Sequence, residues 1–230
     1  TIPEGKTLTI NGGIDAYGST LTVTGEGELV VNGKYGDNTE GTNDSTGGDG
    51  IKGNIVVDGA NVTVKGGNAA WRVQGCKGGN GVTGNVTVNS GLLSITGGQG
   101  GQSSSNSKDV PGGTGGSGVT GNVTVTGGTL TVTGGTGGSG GQSNTIAGNG
   151  GTGVIGNINV SGGEAILSVG NQGYANGTAG TAGHAITGTI TGDAQESTNS
   201  STWAAASGTT SDKRYVKVIA PSASYTITFV

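Results

Sequence analysis

The chain has 230 residues, 55 of them glycine, with 3% aromatic residues and no methionine. Its formal net charge is −4 and only 10% of its residues are charged, which excludes the basic surface that nucleic acid or an anionic membrane attracts. No run of about 20 apolar residues is present to insert in a bilayer, and Cys76 is the sole cysteine, so no disulfide forms within the chain.

Glycine loses more backbone freedom on folding than any other residue. A chain that is nearly one-quarter glycine therefore needs either a highly regular fold or none. Thr1 is not an initiator Met and no signal-peptide pattern follows it, which predicts a processed form or an excised piece. Residues 1–34 hold three short alternating runs: Leu8 and Ile10, Leu21 and Val23, Leu29 and Val31. Apolar/polar alternation marks a strand with one buried face. These runs are read as irregular first coils of a repeat array, whose terminal units are atypical because they cap the core. Residues 35–50 form a polar loop. Asp37, Glu40, Asp44 and Asp49 are candidate Ca²⁺ ligands by type, but their spacing fits neither an EF-hand nor a nonapeptide array. The expectation is a solvated loop and no metal.

From residue 50 onward a unit recurs, clearest in Gly118–Gly135, G-V-T-G-N-V-T-V-T-G-G-T-L-T-V-T-G-G. The glycines of its G-N pair are Gly53, Gly84, Gly121 and Gly156, with a decayed copy at Gly188, so the spacings are 31, 37, 35 and 32 residues. Ile51, Val82, Val119, Val154 and Ile186 precede these anchors by two residues. Ile55 and Val57, Val86 and Val88, Val123 and Val125, and Ile158 and Val160 follow them, with only Ile190 in the last copy. A second run carries Val62 and Val64, Leu93 and Ile95, Leu130 and Val132, and a blurred stretch from Ile166 to Val169. Runs this short cannot make a core alone, but stacked about 4.8 Å apart each apolar position becomes a continuous column. The predicted fold is all-β: a parallel β-solenoid with about 31–37 residues per coil. In the Gly118–Gly135 unit, Val119, Val123, Val125, Leu130 and Val132 should point inward and its threonines outward.

The anchor asparagines Asn54, Asn85, Asn122 and Asn157 are predicted to form a structural ladder of stacked side-chain amides at a corner. The alternative is glycosylation, for which Asn61, Asn85 and Asn122 head N-V-T sequons but Asn54 and Asn157 do not. Residues 66–81 carry Trp71, Arg72 and Cys76; Trp71 either covers a gap in the stack or offers a sugar-stacking platform. In the later loops glycine recurs every third residue, at 112, 115, 118 and 121, at 134, 137 and 140, and at 177, 180 and 183. That period suits polyproline-II-like segments lying side by side with glycine at the contacts; flexible linkers are the alternative.

Composition changes after Gly192. The division expected is a β-solenoid over 1–192 (irregular coils over 1–49, repeats over 50–192), a connector over 193–214 with one short helical turn near Trp203–Ala206, and a C-terminal β-hairpin over 215–230. Its last run, with Tyr225, Ile227 and Phe229 alternating, is a candidate subunit-pairing strand. It could equally close the solenoid or open a following domain.

The units quoted above resemble the glycine-rich β-helical repeats of bacterial secreted and cell-surface proteins, especially adhesin-like ones. The resemblance covers about residues 1–192 and implies a surface location and binding or scaffolding work, with no residue-level site to carry over. The every-third-glycine loops also look like the polyglycine-II sandwiches of phage tail-tip adhesins and some antifreeze proteins, although the long alternating strands depart from those.

Enzymatic chemistry finds no constellation. Asp58 and Glu164 lie three coils apart, about 14 Å by coil pitch, beyond the roughly 6.5–9.5 Å of an inverting glycosidase pair. Cys76 and His184 fall near the first and last copies, and one Cys with one His is too few for zinc. The reading is therefore not an enzyme, with no cofactor. It is an extracellular structural or adhesive protein, secreted or at the cell surface, whose partners are itself, in a fibre, or cell-surface glycans met by Trp71 and Tyr174. Ice binding is a third reading, but the Thr-x-Thr ranks at Thr124, Thr126, Thr131 and Thr133 break at Val56, Asp58, Asn89 and Asn159.

Overall fold

The computed structural model describes residues 1–37, 45–70, 75–103, 111–141, 145–206 and 214–222. Among them every regular element is a strand. The chain is a parallel β-solenoid of about five turns. Trp71 and Arg72, Glu40 and Asp44, and Tyr225, Ile227 and Phe229 lie outside the described residues.

Each repeat lays down the alternating runs as strands. The first sheet stacks β1 (Thr7–Gly12), β3 (Glu28–Gly33), β5 (Asn61–Lys65), β8 (Leu92–Thr96), β11 (Thr129–Thr133) and β14 (Glu164–Ser168), all parallel. The second sheet begins with β2 (Ile14–Thr24) and β4 (Ile51–Asp58). From there it splits into two ribbons. One holds β6 (Val82–Thr83), β9 (Val119–Thr120), β12 (Val154–Ile155) and β15 (Ile186–Thr187). The other holds β7 (Val86–Val88), β10 (Val123–Val125), β13 (Ile158–Val160) and β16 (Ile190–Thr191). The split occurs at the anchor glycine. Gly121 has φ 151°, a value closed to residues with a Cβ, and a Cβ there would strike Gly84 O of the coil below.

Register aligns like with like. Ile51, Val82, Val119, Val154 and Ile186 form one column, and Val57, Val88, Val125 and Val160 another. All of these are buried. The first sheet supplies Val31, Val64, Ile95, Val132 and Leu167, each fully buried. The five inward positions predicted for the Gly118–Gly135 unit are all buried, at 1% exposure or less. The blurred last copy is resolved by register: Ala165 and Leu167 point inward opposite Leu130 and Val132, while Ile166 pairs with Thr131 on the outer face.

The glycine segments are the other half of the coil. After each first-sheet strand from β3 to β14 the chain runs outward, then returns toward the next coil, whereas β1 passes straight into β2 through Gly13. Outgoing passes bond to outgoing passes every third residue: Gly97 N donates to Thr133 O, Gly100 N to Thr136 O and Ser103 N to Ser139 O, at 2.9, 2.9 and 3.0 Å. Between those positions glycine amides cross to the returning pass. Gly98 N donates to Gly79 O, Gly116 N to Gly98 O, Gly135 N to Gly116 O and Gly151 N to Gly135 O, all at 2.7–2.8 Å. One zigzag of main-chain bonds thus runs along the whole stack from Gly48 to Gly183. A second, farther out, runs from Cys76 through Gly101, Gly113, Gly138 and Gly148 to Gly173. The passes lie so close that a Cβ at Gly116 would overlap Gly79 O. Nineteen residues separate Gly48 from Gly67, Gly79 from Gly98, Gly116 from Gly135 and Gly151 from Gly170. The strand-bearing part of these four coils has one length and the variation among them falls between the glycine contacts, whereas in the first coil β2 carries extra residues between Asp15 and Thr20, where its register with β4 shifts.

The C-terminal end departs from the repeat. Residues 193–214, expected as a connector, contain β17 (Asp193–Ser197) and β18 (Ala204–Ala205); the helical turn expected near Trp203 is instead this short strand. Strand β19 (Tyr215–Ile219) inserts antiparallel between β14 and β17, setting Val216 and Val218 on the Leu167 and Ala165 columns. The second arm of the expected hairpin lies outside the described residues. At the opposite end β1 pairs only with β3, and Leu8 is 49% exposed.

Candidate functional site

The anchor asparagines stand on the corner beside the positive-φ glycines. Each side-chain oxygen reaches one coil onward and accepts a main-chain bond. Asn54 Oδ1 accepts from Asn85 N, Asn85 Oδ1 from Asn122 N, Asn122 Oδ1 from Asn157 N and Asn157 Oδ1 from Thr189 N, at 2.9–3.0 Å. The bonds run from side chain to main chain, where the sequence suggested amide to amide. The cause is local: φ near 150° at the preceding glycine belongs to a corner whose next N–H leaves the strand ladder, and the stacked carboxamide is the nearest acceptor. An amide-to-amide contact does occur in the first coils, from Asn32 Nδ2 to Asn11 Oδ1 at 2.9 Å.

The same device recurs in the glycine half, where sequence reasoning did not place it. Gln99 N donates to Asn68 Oδ1, Ser117 N to Asn80 Oδ1 and Thr181 N to Asn149 Oδ1, at 2.9–3.0 Å. In a G-G-X triplet one amide bonds to the like pass and one to the opposite pass, so the third, on X, points outward. Asparagine one coil below satisfies it. The signal was present in the sequence as asparagine at every-third-residue positions.

The acidic candidates are engaged in the stack. Asp49 accepts from Asn80 N and Thr83 Oγ1, both at 2.8 Å. Asp58 Oδ1 accepts from Ser90 Oγ at 2.8 Å, and Glu164 is paired with Lys217 at 3.0 Å. Asp58 and Glu164 stand at the ends of strands in different sheets. His184 occupies the row of Asn80, Ser117 and Thr152 on the last returning pass, whereas Cys76 is on the second, three coils or about 14 Å lower by coil pitch. The described residues bring no three His, Cys, Asp or Glu side chains together as a metal site.

Tyr174 is 75% exposed on the last outgoing pass, in the row of Gln102 and Ser139. Three residues before it, Asn171 Oδ1 accepts from Arg214 Nη2. A cleft of about 1010 Å³ opens at the C-terminal end of the stack. Its floor is the last second-sheet coil, with Ile186 and Ile190, and its wall is the overhang of Ala194, Ala205 and Ile219. Nothing in the sequence signalled it, because it arises from strands added to one sheet and not the other. Comparisons with protein-family models, with curated proteins and with solved structures find no match.

Proposed function

We propose that the chain is a non-enzymatic structural and adhesive module of a secreted or cell-surface protein, of the adhesin-like kind its repeats resemble, acting as a stiff rod that displays its lateral faces. The observation that carries this is the bonding of each coil to the next in both halves, side-chain amides and carboxylates included. Polar groups engaged in stacking are unavailable for acid–base work, and a rod bonded on all sides resists bending and proteolysis.

The ends favour single rods over a continuous filament. Sheet one overhangs sheet two by β17 and β18. A second copy whose β2 stacked on β15 and β16 would have to place its own β1 where β19 lies. The contact with a second copy is proposed instead at the β1 edge, where Leu8 is exposed. Electron microscopy of concentrated protein tests this: single rods and end-joined pairs are expected, and long filaments would overturn it.

The adhesive face favoured is the outgoing glycine row ending in Tyr174, with cell-surface glycans as ligands. The exposed ring is a stacking surface, and Asn171 adds an amide beside it. Glycan-array binding that drops at least tenfold in Tyr174→Ala supports that assignment, whereas unchanged binding removes it. Trp71→Ala is the companion variant. Ice binding has less support, because Thr131 stands between Ser94 and Ile166 and Thr124 between Thr87 and Asn159.

A further inference from the structure

Asparagine followed by glycine is a dipeptide prone to react with itself. The carboxamide carbon lies within reach of the next main-chain nitrogen, and glycine puts no side chain in the way. Five such pairs occur: Asn11–Gly12, Asn32–Gly33, Asn80–Gly81, Asn149–Gly150 and Asn176–Gly177. As dipeptides they are identical, and the fold distinguishes them. For the nitrogen to attack, its N–H must be free to lose a proton and the carboxamide must be free to swing over it. A hydrogen bond at either group holds the pair back.

Four of the pairs are held. Gly81 N donates to Ser117 O at 2.9 Å, while Asn80 Oδ1 accepts from Ser117 N at 3.0 Å and Asn80 Nδ2 donates to Thr83 Oγ1 at 3.1 Å. Gly150 N donates to Thr181 O at 2.8 Å, and Asn149 Oδ1 accepts from Thr181 N at 2.9 Å. Asn11 and Asn32 face each other in the β1–β3 ladder, with Asn32 Nδ2 donating to Asn11 Oδ1 at 2.9 Å and Gly12 opposite Gly33. The stacking that builds the rod thus fixes these carboxamides.

Asn176–Gly177 stands on the last outgoing pass. The pass below donates upward every third residue, Gly137 N to Asn171 O and Gly140 N to Tyr174 O. Gly177 continues that row by three, and among the described residues no outgoing pass lies above it. The chain bends at Asn176 and Gly177, both exposed, between two fixed points: Tyr174 O accepts from Gly140 N, and Thr178 N donates to Thr145 O. Among the described residues neither the Asn176 carboxamide nor the Gly177 amide has a hydrogen-bond partner.

We infer that Asn176 deamidates spontaneously in the folded protein, ahead of the four held pairs. Gly177 N gives its proton to solvent base and attacks Asn176 Cγ. The N–Cγ bond forms as the Cγ–Nδ2 bond breaks, and ammonia leaves with a proton from water. Water then opens the resulting succinimide ring. Cleavage at Cγ leaves aspartate, and cleavage at the main-chain carbonyl leaves isoaspartate, with the chain running through the former side chain. Either product carries a carboxylate in place of a neutral amide, two residues from Tyr174. The row proposed as the adhesive face gains negative charge as the protein ages. That consequence rests on the adhesive reading, whereas the chemistry does not.

The test ages the full chain in mildly alkaline buffer, with and without denaturant, and follows amide-to-acid conversion at each pair by peptide mass analysis. In the folded chain, conversion at Asn176 is expected at least tenfold faster than at any of the other four, with isoaspartate among the products. In denaturant the five rates should converge to within about threefold, as expected for one dipeptide in one environment. Gly177→Val, which crowds the nitrogen, should slow conversion at Asn176 at least tenfold. Asn80 or Asn149 converting as fast as Asn176 in the folded chain would overturn the assignment. So would an Asn176 that reacts tenfold faster once unfolded, because the fold would then hold it as well. Mass analysis reads these rates whether or not a glycan binds, so failure here leaves the adhesive reading standing.

Discussion

The strand half and the glycine half of each coil stack with the same main-chain bonds but exclude water by different means. In the strand half two sheets stand apart and Val, Ile and Leu fill the gap, so one column carries Val62, Leu93, Leu130 and Ala165 with no break in register. In the glycine half nothing fills the gap because there is none: outgoing and returning passes touch through their peptide groups. One half tolerates changes of side-chain size because neighbouring side chains in the column can take up the difference. The other tolerates no side chain at its contacts, because the atoms it would displace are main chain.

The sharpest way to break that contrast is Gly116→Ala. A single methyl against Gly79 O cannot be accommodated without separating two passes, and we expect a loss above about 4 kcal/mol, the range of severe overpacking. Leu130→Ala, in a fully buried column, should cost about 2–4 kcal/mol through lost transfer energy and a residual cavity. Denaturant unfolding measures both, and a glycine variant less damaging than the leucine variant would mean that the passes are not in contact. Asn122→Ala should cost about 1 kcal/mol, because it removes one acceptor at an exposed corner where water can substitute. Hydrogen exchange should then accelerate at Asn157 and not at position 122, whose main-chain amide still bonds to Asn85. Thr136→Ala, at an exposed triplet position, should change stability by no more than about 0.5 kcal/mol.

Much of the strand half could be read from residues alone, since Val119, Val123, Val125, Leu130 and Val132 display their burial through a period of two. The phase at Ile166 could not, because two adjacent apolar residues fit either face and only the register with Val132 decides between them. In the glycine half the three-residue period was visible but the zigzag was not: glycine has no side chain to indicate which pass it touches. The strands after Gly192 were hidden by composition. Ser, Thr and Ala in residues 193–206 look like a linker, but β17 pairs antiparallel with β19, later in the chain, and β18 pairs antiparallel with β17. Of the candidate contacts, Tyr174 was apparent as an isolated aromatic, whereas the cleft depends on a mismatch between sheets that no local pattern encodes.

The constant nineteen-residue spacing determines where the chain can change in length. From Gly67 to Gly79, Gly98 to Gly116, Gly135 to Gly151 and Gly170 to Gly183 the chain takes 12, 18, 16 and 13 residues, while the strands on either side keep their register. In these four coils length changes between the glycine contacts and not in the strand half, so the added residues disturb no column. The layout lets new sequences be tried between one pair of glycine contacts while the others, and the strand scaffold, stay unchanged.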